Sequence, residues 1–244
     1  RLKPLRLWTS FPHPKYPTLD GLMDKLNRVF GEDPNKAPKI VFVMNGTFHI
    51  QVTKNEYGHD ENYVTIGYPI MIIGAGQDKT AIHGGFKIQG TKEEKKRVNM
   101  QGMTMKGSSG RGLYANNGLS FLCKDMTFTQ CGGSGVWAQR TKGRLINCVI
   151  TQCEDSGIYC RYNALIELEG DQTKVDGNVT CENGAYYGLS THDTSSIIHL
   201  LFPLTKESVS TNNQGGNYGS YHGGTMVGTI QTVSTFAETE ATNA

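Results

Sequence analysis

Two hydrophobic periods follow one another along the chain. Residues 18–30 place Leu19, Leu22, Met23, Leu26, Val29 and Phe30 at helical spacing, with Thr18 positioned as an N-cap. From Ile40 onward the period falls to two, in short apolar–polar alternations broken by Gly, Asn and Ser, which predict strands and turns. In the middle of the chain the strand pattern repeats. Segments 103–115, 126–138, 148–160 and 179–191 align without internal gaps, and a glycine opens the second strand of each, at 112, 135, 157 and 188. The spacings are 23, 22 and 31. Two short strands per unit predict a coil of a parallel β-solenoid, about 22–23 residues long, and not a sandwich. The longer third spacing predicts a normal coil with an inserted turn near Gly170 to Gly177.

Alternation assigns each column a side. Met103/Met126/Cys148/Val179 and Met105/Phe128/Ile150/Cys181 are expected to point inward from the first strand, and Leu113/Val136/Ile158/Leu189 and Ala115/Ala138/Cys160/Thr191 from the second. Gly102, Asp125, Asn147 and Asn178 precede the first strand and suit left-handed turn geometry. The columns account for most of the clustering of the six cysteines between 123 and 181. Cys123, Cys148, Cys160 and Cys181 are read as core residues, small buried hydrophobes. Cys131 and Cys153 occupy equivalent positions one coil apart, where a disulfide is sterically possible but not required. No Cys-x-x-Cys pair points to zinc.

Composition adjusts this picture only modestly. Glycine is abundant, 30 of 244 residues, and is accounted for largely by turns between strands. The formal net charge of +2 implies neither nucleic acid nor an anionic membrane, and no apolar run is long enough to span a bilayer. Residues 1–17, with prolines at 4, 12, 14 and 17, are expected to form an extended arm, and 18–30 a helix capping the first coil. The solenoid is expected to run over 18–236, closed by a loop and strand at 205–236, with a disordered tail at 237–244. The opening at Arg1 reads as a processed or truncated end, so no compartment is assigned.

The repeat resembles the coil of the right-handed parallel β-helix proteins, the pectin-lyase-like superfamily. It is most similar to repeats shared by carbohydrate-binding proteins, sugar hydrolases and F-box β-helix proteins. Ile40 through Phe48 (IVFVMNGTF) resembles the strand–Gly–Thr–Phe opening of those folds, and residues 63–82 resemble their following coil. The likeness spans roughly residues 19–201. It implies an all-β, single right-handed parallel β-helix, and it is specific for fold more than for activity.

On the second strand the outward columns are Tyr114, Trp137, Tyr159, Ser190 and then Asn116, Gln139, Arg161, His192, with Asn117, Arg140, Tyr162 and Asp193 beside them. With coils about 4.8 Å apart, three aromatic rings are expected to stack along an exposed face flanked by amides. Three readings stay open: a glycan groove, a protein-partner surface, and purely structural stacking. Tyr114, Trp137, Tyr159, Asn116, Gln139 and Arg161 are the candidate binding residues. The chemistry of the resembling enzymes implies carboxylate clusters, and none of their motifs is present. Arg161, His192 and Asp193 form a minimal acid/base group for a uronate lyase or epimerase. Asp171 and Asp176 are weak candidates for calcium, with no diagnostic spacing, and no cofactor is expected. The charge run at 92–97 reads as a solvated loop. The favoured reading is a non-catalytic binding or scaffold module for a protein or glycan, suited to a larger assembly. A polysaccharide-modifying enzyme is the alternative.

Overall fold

The computed structural model describes residues 7–90, 96–180, 186–220 and 228–235. Most of the charge run at 92–97, Cys181 and the tail at 237–244 lie outside them.

The chain winds into a parallel β-helix. The described strands form one 14-stranded sheet and one seven-stranded sheet, with parallel pairing throughout both. A two-stranded antiparallel ladder, Thr53–Lys54 with Asp60–Glu61, stands apart. Register follows the repeat: Met103 pairs Met126, Leu113 pairs Val136, and Val136 pairs Ile158. Met105, Phe128 and Ile150 from one sheet meet Leu113, Val136, Ile158 and Leu189 from the other in a fully buried core. Each such side chain contributes about 2 kcal/mol on burial. The glycine before the second strand is required by close approach. A Cβ on Gly157 would strike the Val175 side chain and lie 2.9 Å from the Gly188 carbonyl oxygen.

The turns are also columns. Gly102, Asp125 and Asn147 share positive φ (67°, 50° and 50°), as their residue types predict. A second left-handed column, Gly107, Gln130, Gln152, Gly177 and Asn212, follows the first strand. A third, Asn117, Arg140 and Tyr162, follows the second strand.

At the N-terminal end, helix α1 (Leu19–Glu32) buries Leu19, Leu22, Met23 and Leu26, and the Thr18 hydroxyl accepts a hydrogen bond from the Gly21 N–H. It covers the first strand of the shorter sheet, Tyr63–Ile66. The Asn27 amide donates to the Thr65 carbonyl (2.9 Å) and accepts from the Gly67 N–H (3.0 Å), satisfying an otherwise open edge. The expected arm is not free. Residues Trp8–Phe11 form a strand pairing with Ile40–Val43 and add a rung to the longer sheet. The 205–236 region likewise holds more than a cap. It contains helix Lys206–Val209, strands Ser210–Thr211 and Tyr218–Ser220 that continue the two sheets, and Thr229–Val233 against Ile197–Leu201.

The fourth repeat departs from expectation. The strand that continues the first-strand column is Lys174–Asp176, with Val175 beneath Ile150, and not the segment beginning at Val179. Val179 is 42% exposed. The extra chain lies on both sides of that strand: Val175 follows Ile150 by 25 positions, against 22 from Phe128 to Ile150, as the turn near Gly170 predicts, and Gly188 follows Val175 by 13, against 7 from Ile150 to Gly157. Asn178 is therefore not in the first left-handed column. It is buried one coil above Cys153, where its side-chain oxygen accepts from the Cys153 N–H and its amide donates to Asn213.

Cys123, Cys148 and Cys160 are core residues, and burial pushes the Cys148 and Cys160 thiols up to about 12. Cys131 and Cys153 are also buried and are both free thiols. A hydrogen bond between them holds the Cys131 proton more tightly.

Candidate binding face

The outer face of the shorter sheet carries the predicted aromatic column. Strands Leu113–Asn116, Val136–Gln139, Ile158–Arg161 and Leu189–Thr191 set Tyr114, Trp137, Tyr159 and Ser190 side by side. Trp137 and Tyr159 lie 4.3 Å apart at 32°, and Tyr114 meets Trp137 edge-on at 6.4 Å. The stacking is as expected, but the exposure is not. Trp137 is 8% exposed and Tyr159 2%, while Tyr114 is half-buried.

The covering groups come from turns. Arg111, in the turn before the first of these strands, lays its guanidinium 4.0 Å above the Trp137 ring centre and 4.8 Å from that of Tyr114. Tyr186 comes within 5.9 Å of Tyr159. Arg161 stacks 3.9 Å over Tyr162 and approaches Trp137 at 5.7 Å, and Arg140 lies 5.1 Å from the Tyr162 ring. Lys87 is 5.9 Å from Tyr114. Rings and cations thus alternate across four coils. A guanidinium stacked by its face keeps its N–H edge available to acceptors. Left-handed backbone at Arg140 and Tyr162 costs about 1–3 kcal/mol each.

Asn116, Gln139 and Arg161 form the neighbouring half-buried column. Beyond it, Arg140, Tyr162, Asn163 and Ser195 line an open depression of about 390 Å³. Several polar atoms on this face, Asn116 Oδ1, Ser134 Oγ, Trp137 Nε1, Ser156 Oγ, Arg161 Nε and Ser190 Oγ, are buried with no hydrogen-bond partner among the described residues. Such atoms cost about 1–3 kcal/mol each.

The acid/base group is only partly assembled. His192 follows Leu189–Thr191, and its Nδ1 lies 3.7 Å from Asp193 Oδ2. Its ring packs edge-on against Tyr159 and Tyr162. Asp193 is occupied structurally. It accepts from the Tyr162 N–H (2.7 Å), the Ser195 N–H (3.0 Å), the Ser196 hydroxyl (3.0 Å) and the Ser195 hydroxyl. Burial alone would raise its carboxyl, but these bonds outweigh burial and hold it below the usual carboxylate range. A carboxylate kept ionised this way is a poor proton donor. Asp155 shows the opposite balance. Burial raises its carboxyl, against the nearby Arg111 charge.

Asp176 Oδ1 accepts from Thr211 (2.6 Å) and Asn212 (2.8 Å), and no group of three ligand-type side chains assembles among the described residues. Among those residues no helix is long and apolar enough to cross a membrane.

Sequence reasoning did not single out Arg111, Lys87, Tyr186 or Tyr187. A signal was present, since Arg111, Ser134, Ser156 and Tyr187 share the column before the recurring glycine.

The chain belongs to the right-handed β-helix family, whose model of the right-handed beta helix region matches residues 84–230. The chain is distantly similar to two solved structures. One is ORF18 of Geobacillus virus E2, with TM-score 0.44 and 12% identity, covering 80% of this chain and 47% of that one. The other is the catalytic domain of a GH87 α-1,3-glucanase in complex with nigerose, with TM-score 0.41 and 11% identity, covering 82% and 37%. The chain spans less than half the length of either. No curated protein matches it.

Proposed function

We propose that this chain is a non-catalytic β-helix binding module whose outer face takes an acidic glycan. The observation that carries this reading is the alternation of aromatic rings and stacked cations from Lys87 to Tyr162. The covered Trp137 and Tyr159 rings hold the guanidinium groups in place, the half-buried Tyr114 ring suits the C–H face of a sugar, and guanidinium edges suit carboxylates. Asn116 and Gln139 add amides for hydroxyls. A protein partner would use the same groups, but planar cations with open N–H edges favour an oxygen-rich, anionic ligand.

The alternative, a uronate lyase or epimerase using Arg161, His192 and Asp193, is supported by the 3.7 Å approach of His192 to Asp193. The four hydrogen bonds that engage Asp193 favour binding over turnover.

A glycan array run beside a turnover assay on uronate polymers tests the choice. The expected result is retention of acidic over neutral glycans, lost in Trp137→Ala, with no polymer cleavage or epimerisation. Turnover abolished by His192→Ala would establish the enzyme instead. Capture of a protein, with no glycan retained, would establish the scaffold.

A further inference from the structure

Beyond Tyr159 the outward column narrows to Ser190 and then Gly219. The space above Gly219 is filled from the side. The ring of Tyr187 lies over Gly219, so close that a Cβ there would come within 2.6–2.8 Å of ring carbons. The same ring stands 3.0 Å from where a Cβ on Gly216 would be. Tyr186, next in the chain, approaches the Tyr159 ring. Both tyrosines end the connection that carries the extra residues after Val175.

Ser190, paired with Gly219, is fully buried, and its hydroxyl has no hydrogen-bond partner among the described residues. A tyrosine ring matches the shape of the space but offers a hydroxyl no acceptor or donor on its face. A pyranose ring has a similar footprint, packs against an aromatic neighbour, and carries hydroxyls around its rim.

We propose that Ser190 and Gly219 form the floor of a ring-sized subsite, closed in the free protein by Tyr187, which takes one pyranose unit of a bound glycan. The proposal rests on the glycan-binding reading of the adjoining column and adds a self-occupied position to it. Tyr187 acts as an internal competitor, and ligand binding displaces it.

Titration calorimetry of the full chain with an oligogalacturonate hexamer tests this. Tyr187→Ala is expected to bind about tenfold tighter than the unaltered protein, the gain from removing one ring contact. Ser190→Ala placed in that background is expected to remove most of the gain. Tyr187→Ser, which removes the same ring with a different replacement, is expected to tighten binding in the same direction and guards against misfolding of the alanine variant. If the unaltered chain binds and both Tyr187 variants bind equally or more weakly, the subsite is overturned while the glycan-binding face stands. If no form binds, the face reading falls and the subsite with it. Binding by the variants alone supports the subsite.

Discussion

Asp193 accepts hydrogen bonds from two N–H groups and two hydroxyls, and these tie the chain after Thr191 to the turn at Tyr162. Its role is therefore first to hold that turn. Replacing it with alanine is expected to cost about 2 kcal/mol of stability at neutral pH, because a charge-assisted set is lost. The pH dependence has a definite sign. The native carboxyl is held below its ordinary value, so its contribution is present above the unfolded value of 3.8 and disappears as pH falls through the lower native value. Denaturant melts of wild type and Asp193→Ala are expected to differ at neutral pH and to converge toward about pH 2. A difference that persists undiminished in acid would contradict the assignment. The cysteines show the same separation of residue type from role. Burial of the five described cysteines explains their place in the sequence without redox chemistry.

At the scale of the element, the repeat was legible where coils are regular. The recurring glycine and the inward columns through Cys160 fixed strand pairing to the residue. It failed at the fourth coil for a physical reason. Lys174–Asp176 has one apolar side chain, Val175, and carries little pattern, whereas Val179 mimics a strand position without occupying one. Column geometry also revealed the ring stack but not its cover, since Arg111 and Tyr186 reach the face from turns. The glycine column yields a sharp expectation. Gly157→Ala is expected to lose about 2 kcal/mol, since its methyl overlaps Val175 across the core. Adding Val175→Ala in that background is expected to recover part of the loss, read from denaturation midpoints. Full tolerance of the single change would contradict the packing described.

For the whole molecule, a formal charge of +2 conceals an uneven distribution. Lys87, Arg111, Arg140 and Arg161 stand on one face; of the carboxylates beside them Glu61 lies 3.9 Å from Lys87, Asp155 is near Arg111, and Asp193 is engaged by its own turn, so that Arg140 and Arg161 carry most of the charge offered to a ligand. The solenoid builds this concentration from one or two residues per coil, which is why average composition gives no hint of it. Affinity for an acidic glycan is accordingly expected to fall as salt rises, because the cations are partly exposed. A neutral glycan of the same length is expected to bind weakly and with little salt dependence. The most direct test of the face is a binding titration with an oligogalacturonate hexamer, comparing wild type with the folded Arg140→Ala/Arg161→Ala double variant. About a hundredfold loss of affinity is predicted, roughly tenfold for each guanidinium–carboxylate contact. Equal affinity in the two proteins would contradict the central claim.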